Sequence, residues 1–262
     1  MDLRSEYLSV CREAVYAAGT ELQDWVGRFE VREKGRFDLV TQADLAAQEV
    51  VRRHVLGAFP EHGFLGEEGA AEPDGRDYRW IVDPLDGTTN YVHAVPHYAV
   101  SLALEHRGRL LVGAVFNPAS GECFTAVEGQ GAFLNDQPIR VSRVASLDQA
   151  LAAMGLPAGM TTDSPDLKVL LKALFQCQSI RRTGSAALNL CYLAAGRFDV
   201  CWSFSTKAWD VAAGVLMIRE AGGAGVAVAG GPFSLDDPRL LAAANDRLLD
   251  QLRQMVVEAG AG

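Results

Sequence analysis

The spacing of apolar positions predicts two helices at the start of the chain. Over residues 7–26 apolar side chains recur every three or four positions, which is typical of an amphipathic helix with one face on a core. A second helix is predicted over 43–59, because Thr41 is a favoured N-cap residue and Pro60 cannot continue a helix. The first sixty residues should therefore supply two helices that each bury one face.

Short apolar runs predict strands in the middle of the chain. The run 78–82 is β-prone and stops at Asp83-Pro84, which places Asp83 at the carboxyl end of a strand, where open α/β sheets bind ligands. Further strands are predicted at 99–105, 110–116, 122–127 and 132–134. A short polar segment with Gly108 joins the first two of these, a hairpin signal. This part is expected to be an antiparallel meander.

The second half of the chain alternates strand and helix signals. It predicts strands at 150–154, 198–204, 226–228 and 241–244, and helices at 167–175, 185–195, 210–221 and from 246 onwards. The segment 155–166 contains two prolines and two glycines, which favour a loop or a boundary. We expect an α/β (α+β) protein with an N-terminal half, 1–154, that carries the metal and phosphate motifs, and a C-terminal half, 155–262, that completes the site.

Composition and charge exclude several classes of protein. With 24 basic and 33 acidic residues the formal net charge is −9, which argues against a nucleic-acid binder held by phosphate contacts. No window approaches the roughly 18 apolar residues of a membrane span, and residues 1–27 lack a signal-peptide pattern, so the expected location is the cytoplasm. The five cysteines are irregularly spaced without a C-x-x-C pair, which predicts buried reduced thiols.

Four acidic segments lie beside predicted turns rather than on a solvated helix face. They are Asp38 with Asp44, Gly66-Glu67-Glu68-Gly69, Asp83-Pro84-Leu85-Asp86-Gly87-Thr88-Thr89-Asn90, and Trp209-Asp210. Most of them also have a structural explanation. Asp44 could complete a capping box with Thr41, Glu67 could be a solvated turn residue, and Asp210 could simply begin a helix.

The segment from Asp83 to Thr89 carries the strongest chemical signal. Asp83 and Asp86 flank a proline-stiffened turn, so both carboxylates can face one point. Carboxylates and a main-chain carbonyl are the hard oxygen ligands that Mg²⁺ prefers. Gly87 leaves room for an anion to approach the backbone, and free amides at 87–89 suit a phosphate. The turn therefore predicts a joint metal and phosphate site.

Taken in order, these motifs resemble the inositol monophosphatase family of Mg²⁺-dependent, lithium-sensitive phosphatases. The similarity runs along the whole chain and includes Gly131-Ala132-Phe133-Leu134-Asn135, Arg182-Thr183-Gly184-Ser185-Ala186-Ala187 and Glu220-Ala221-Gly222-Gly223. The resemblance implies a layered αβαβα sandwich, a homodimer, and hydrolysis of a small phosphomonoester by metal-activated water. Inositol 1-phosphate is the first substrate that it implies.

The resemblance also implies roles for individual residues. Two or three Mg²⁺ ions would be held by Glu67, Asp83, the Leu85 carbonyl, Asp86 and Asp210. The implied catalytic residues are Asp44, Thr88 and Glu67, with Asp44 and Thr88 orienting and deprotonating the attacking water. Gly87, Thr88 and Thr89 would cradle the phosphate, and Gly184, Ser185, Ala186 and Ser203 would contact the substrate.

One departure from the family pattern leaves the substrate open. Ser203 stands where the inositol enzymes typically have a glutamate, and a hydroxyl bonds a polyol more weakly than a carboxylate does. The open substrates are fructose 1,6-bisphosphate, histidinol phosphate, adenosine 3′,5′-bisphosphate and NADP, and Lys207 could contact a second anionic group. The alternative to an enzyme is a binding or regulatory protein that retains the fold.

Histidines and tryptophans near the motifs are not expected to bind ligands. His93 and His97 are four residues apart, but Pro96 interrupts any helix that would bring both to one metal. Trp202 and Trp209 are expected in the core.

Overall fold

The structure is a computed structural model that describes residues 3–69, 76–156 and 158–261. Within these residues the chain forms seven α-helices and fourteen β-strands. The helices are α1 (Leu3–Trp25), α2 (Gln42–Ala58), α3 (Thr88–Val92), α4 (Pro165–Ala173), α5 (Ala186–Ala194), α6 (Ala208–Glu220) and α7 (Asp246–Glu258). The strands are β1 (Val31–Gly35), β2 (Asp38–Thr41), β3 (Gly63–Gly66), β4 (Tyr78–Asp86), β5 (Ala99–His106), β6 (Arg109–Asn117), β7 (Glu122–Val127), β8 (Gly131–Leu134), β9 (Gln137–Pro138), β10 (Leu151–Met154), β11 (Ser179–Arg181), β12 (Val200–Ser203), β13 (Ala224–Ala227) and β14 (Leu240–Ala243).

Two sheets carry the fold, and a separate hairpin joins β1 to β2. The larger sheet has seven strands in chain order, β3 to β9, with β3 and β4 parallel and the rest antiparallel. The smaller sheet has the order β11-β10-β12-β14-β13, in which β10 runs parallel to β11 and β12. The predicted meander in the middle of the chain is therefore confirmed.

Alternation of side chains along the strands builds the layers. On β4, Trp80 and Val82 pack with α1 and α2, whereas Ile81 faces the opposite way, toward α5 and α6. The smaller sheet covers the other side of α5 and α6, and its outer face packs on α4 and α7 through residues such as Trp202. The resulting order is helices, seven-stranded sheet, helices, five-stranded sheet, helices, which confirms the αβαβα sandwich.

Several elements differ from the sequence-based predictions. β4 does not stop before Asp83 but continues to Asp86, because the strand bulges around Pro84 and resumes pairing with β5 at Ala99. The β1–β2 hairpin, β3, β9, β11 and the short α3 were not predicted. Each of these elements has at most four buried positions, too few to show a clear hydrophobic period, and every residue of β1 is exposed. The division of the chain at residue 154 stays a prediction.

None of the described helices combines the length and the apolar content needed to cross a bilayer. All five cysteines are unpaired; four are buried and Cys177 is partly buried. Trp202 is fully buried and Trp209 is partly buried, as expected of core residues.

The contact between α5 and α6 depends on a glycine. A Cβ atom at Gly214 would lie 2.5 Å from the Cβ of Leu190, so the two helices approach too closely for any larger side chain. We predict that Gly214→Ala lowers the free energy of unfolding by about 1–3 kcal/mol, measured by urea denaturation.

Gly57, exposed in the last turn of α2, is the matched control. A Cβ there meets no atom within 4 Å, so Gly57→Ala should raise the free energy of unfolding by roughly 0.5–1 kcal/mol. A loss from Gly57→Ala as large as the loss from Gly214→Ala would contradict the packing explanation.

Candidate active site

A cleft of about 670 Å³ opens where the β1–β2 hairpin, the end of β4 and the first turns of α3 and α6 meet. Six of the residues for which the resemblance implies a role form part of its surface, namely Asp86, Gly87, Thr88, Thr89, Gly184 and Asp210. A smaller cavity of about 190 Å³ adjoins it and adds Ser185, Ala186 and Ser203. The fold thus brings residues from both halves of the chain to one opening.

Asp83 is the most deeply buried carboxylate of the group. Its side chain is 2% exposed, and its Oδ1 accepts a hydrogen bond from the Leu85 amide at 3.0 Å. Burial raises the pKa of Asp83 well above its usual value, and the neighbouring carboxyls of Glu67, Asp86 and Asp210 raise it further. The carboxylate form of Asp83 is therefore costly unless a cation compensates its charge.

Asp86 accepts hydrogen bonds from the start of α5. Its oxygens accept from the Ser185 hydroxyl at 2.5 Å, the Ala187 amide at 2.7 Å and the Ala186 amide at 3.1 Å. Burial raises the pKa of Asp86 to about 6 against the opposing effect of these donors. The bonds fix one carboxylate of the seven-stranded sheet to a helix of the C-terminal half.

Asp210 lies in the first turn of α6 and accepts from the Lys207 amide at 2.7 Å. Burial raises the pKa of Asp210 to about 8, and Asp86 and Glu67 contribute to the rise. Lys207 therefore contacts Asp210 through the Lys207 backbone amide, and the Lys207 side chain is exposed. The cleft lining does not include Lys207, so the structure supports the interpretation of Lys207 as a solvated lysine over a contact with a second anionic group.

Glu67 follows β3 and is held beside β4, because its amide donates to the Val82 carbonyl at 3.2 Å. Its carboxylate contacts the ammonium group of Lys34 at 3.1 Å, and the same ammonium bonds to Glu68. Lys34 belongs to β1, so the hairpin supplies a positive charge at the acidic site.

Asp44 combines the two roles that the sequence left open. Its Oδ2 accepts from both the amide and the hydroxyl of Thr41, which completes the capping box at the start of α2. Its Oδ1 lies 3.3 Å from the Thr88 hydroxyl, which also lies 3.1 Å from the Leu85 carbonyl. Burial raises the pKa of Asp44. The cap therefore orients a carboxylate behind Thr88.

Two glycines allow the backbone segments to meet at the cleft. Gly87 has φ +94°, and a Cβ there would lie 3.2 Å from the carbonyls of Gly184 and His97. Gly184 has φ +91°, and a Cβ there would lie 2.7 Å from the Asn90 amide nitrogen. Asn90 itself donates to the carbonyls of His97 and Thr183. Larger residues would therefore separate α3 from the start of α5.

The donor set suits a hard divalent cation. Glu67, Asp83, Asp86 and Asp210 offer only oxygen atoms, and they lie near enough for Glu67 and Asp86 to raise the pKa values of Asp83 and Asp210. Across residues 3–69, 76–156 and 158–261, no group of three His, Cys, Asp or Glu side chains is already arranged to coordinate one metal ion. Several of the carboxylates are instead tied to partners of the chain, such as Lys34 and the amides of α5.

Most of the remaining candidate residues are already engaged in contacts within the chain. Ser185 and Ala186 line the smaller cavity, but the Ser185 hydroxyl and the Ala186 amide already donate to Asp86. His97 packs its ring on Tyr192, with the ring centroids 5.7 Å apart, and His93 is exposed.

Comparison with known proteins identifies the family. A family model described as "Inositol monophosphatase family" matches residues 3–261. This chain belongs to the inositol monophosphatase family. An inositol-1-monophosphatase of Rhizobium meliloti is 44% identical over 259 residues, which cover 97% of each chain. A Nus factor SuhB of Pseudomonas aeruginosa is 41% identical over 225 residues, covering 82% of this chain and 83% of the relative.

A solved structure shows the same fold. The extragenic suppressor protein suhB of Bartonella henselae superposes with a TM-score of 0.90 at 38% identity, covering 96% of this chain and 98% of that one. Inositol monophosphatases are phosphomonoester hydrolases that act on small phosphate substrates, and Mg²⁺ dependence and lithium sensitivity are properties of the family. The resemblance seen in the sequence is therefore confirmed at the level of family, fold and enzyme class.

Three charged residues at this site were missed in the sequence. Lys34 contacts Glu67, while Arg36 and Arg182 line the cleft. A basic run, Lys34-Gly35-Arg36, precedes the motif residues Asp38 and Asp44 and could have drawn attention to the hairpin. Because strands β1 and β2 were not predicted, however, the sequence did not indicate that this run lies at the cleft.

The raised pKa of Asp210 predicts how stability depends on pH. Because its pKa is about 8 in the folded chain and about 3.8 when unfolded, the folded state binds more protons between these values. The free energy of unfolding should therefore fall as pH rises, by about 1 kcal/mol between pH 7 and 8 in protein stripped of divalent cations. Urea denaturation across that range measures the fall.

Asp210→Asn is expected to flatten this slope, whereas Asp250→Asn on the exposed face of α7 should leave it unchanged. The range above pH 7 limits the contribution of two histidines, the buried His62 and the partly buried His97. Burial lowers the pKa values of both, so they are neutral in the folded state, and the unfolded state, with a pKa of about 6.5, loses only its last fraction of protons there. A stability of the wild type that stays level or rises from pH 7 to 8 contradicts the prediction.

Proposed function

We propose that this member of the inositol monophosphatase family hydrolyses a small phosphomonoester with Mg²⁺, and that inositol 1-phosphate is among its substrates. The observation that carries the proposal is the group of neighbouring carboxylates Glu67, Asp83, Asp86 and Asp210, of which Asp83 and Asp86 are buried, beside a cleft that also exposes Gly87 and its neighbours. A phosphate ester and a cation are the two partners that such a site can stabilise together.

Glu67, Asp83, Asp86 and Asp210, together with the Leu85 carbonyl, would hold two or three Mg²⁺ ions. When bound, Mg²⁺ neutralises phosphate charge and makes a water molecule easier to deprotonate. The relative named inositol-1-monophosphatase, at 44% identity over nearly the whole chain, supports inositol 1-phosphate as the first substrate to test.

Thr88 and Asp44 would handle the proton of the attacking water. Both hydrogen bonds from Thr41 fall on Oδ2 of Asp44, which leaves Oδ1 to accept the Thr88 proton. Thr88 can then accept a proton from water as it donates its own to Asp44, so its hydroxyl is restored. Burial raises the pKa of Asp44, which makes this carboxylate a better proton acceptor than an exposed aspartate.

The segment from Gly87 to Thr89 would receive the phosphate. Gly87 stands at the N-cap of α3 with no side chain over its backbone, and the exposed Thr89 offers a hydroxyl and an amide on the same turn. These groups line the same cleft as Asp86 and Asp210, so the ester can be oriented without a covalent intermediate.

The alternative of a regulatory protein draws on relatives named Nus factor SuhB. The retained acidic residues support hydrolysis over this alternative. A homodimer and a cytoplasmic location both stay predictions.

Phosphate release tests the proposal directly. We expect wild-type protein with Mg²⁺ to release phosphate from inositol 1-phosphate, and Asp86→Asn to lose at least about a hundredfold in kcat because a charged ligand is lost. The same assay should include fructose 1,6-bisphosphate, histidinol phosphate, adenosine 3′,5′-bisphosphate and NADP.

Asp250→Asn is the matched control, since it makes the same chemical change on exposed α7 and should keep full activity. Release from another ester alone would keep the mechanism and change the substrate. Absence of release from every ester, in protein shown to be folded by circular dichroism, would contradict the proposal.

A further inference from the structure

We propose that Arg36 and Arg182 form a second anion-binding subsite in the cleft, so that the preferred phosphomonoesters carry a further phosphate or carboxylate away from the reacting group. The inference rests on the proposed function, because it names the substrate class of the same site. It assigns to these two arginines the role that the sequence had suggested for Lys207.

The two arginines reach the cleft from different elements. Arg36 lies in the turn between β1 and β2, and Arg182 directly follows β11. Both line the 670 Å³ cleft together with Asp86, Gly87 and Asp210, and Arg182 also lines the smaller cavity beside Ser203. A ligand whose phosphate sits at Gly87 therefore shares one opening with both arginines.

Neither guanidinium has an acidic partner among the described residues. Arg36 stacks on the ring of Phe37, with 4.8 Å from its central carbon to the ring centroid, and this contact leaves its N–H groups available. The neighbour Arg181 behaves differently, because it bonds to the Ser179 hydroxyl at 2.7 Å and to the Ile180 carbonyl. Of this adjacent pair, only Arg182 lines the cleft and is available to bind an anion there.

The charges of the cleft are arranged in two regions. Asp86 and Asp210 are predicted metal ligands, so bound cations would compensate their charge. Besides them the lining offers Arg36 and Arg182, one carboxylate, Asp38, on the same hairpin as Arg36, and the uncharged hydroxyl of Ser203. The balance of these remaining groups is positive, and it favours an anionic group over a neutral polyol.

Guanidinium groups suit this task because their paired N–H donors match the oxygens of a phosphate or a carboxylate. Both side chains are exposed, so solvent weakens each contact and a tenfold effect per arginine is a realistic expectation. The gain should fall mainly on KM, since the second anion lies away from the reacting bond.

A matched pair of substrates tests the subsite. Fructose 1-phosphate and fructose 1,6-bisphosphate differ only in the second phosphate. We expect wild-type kcat/KM to be at least about tenfold higher for the bisphosphate. Arg182→Gln and Arg36→Gln should each reduce that value by about tenfold, through KM, and change hydrolysis of fructose 1-phosphate by less than about twofold.

Arg32→Gln is the control, because Arg32 is exposed on the same hairpin but does not line the cleft. It should keep the wild-type preference. Equal kcat/KM for the two esters in the wild type, or variants that lose both activities in parallel, would overturn the subsite and leave the proposed function standing.

If the wild type hydrolyses neither fructose ester, and also releases phosphate from none of the other esters tested above, the proposed function fails. The subsite is then decided by calorimetric titration with the same two fructose esters. Tighter binding of the bisphosphate that is lost in Arg182→Gln supports it, and equal binding of both esters rules it out.

Discussion

The structure depends on the crowding of carboxylates around the end of β4. Asp83 is almost completely buried, and the nearby Asp86 and Asp210 raise its pKa. Charges of one sign gathered in a protein interior oppose folding unless protons, cations or hydrogen-bond donors compensate them. The chain supplies part of that compensation itself, through the amides of α5 and the ammonium of Lys34.

The same contacts help to fix the position of the two sheets relative to one another. Asp86 extends from the seven-stranded sheet to the N-terminus of α5, and α5 packs between that sheet and the smaller one. Gly87 and Gly184 permit this approach, because any Cβ at either position would meet backbone or Asn90. Site and architecture are therefore not separable: a change that loosens the α5 contact also displaces a predicted metal ligand.

Much of the fold and of the acidic motif could be predicted from the sequence. The helices α1 and α2 have long apolar periods, and the strands β5 to β7 are each at least six residues long and mostly apolar, whereas the Asp83-Pro84-Leu85-Asp86 segment has little structural use besides ligand binding. The β1–β2 hairpin could not be predicted, because all residues of β1 are exposed and leave no apolar pattern. For the same reason Lys34 and Arg36 were missed, while Lys207 attracted attention by its place beside Trp209 and Asp210 without lining the cleft.

The central claim is that these carboxylates need a cation, and thermal unfolding of the wild type beside Asp83→Asn tests it most directly. Both proteins would be melted at about pH 8 without divalent cations and with saturating Mg²⁺. The account predicts that Asp83→Asn melts at the higher temperature without metal, because a buried charge has been removed, and that Mg²⁺ raises the midpoint of the wild type above that of the variant. A wild type that is the more stable of the two without metal, or that Mg²⁺ does not stabilise, would contradict the account.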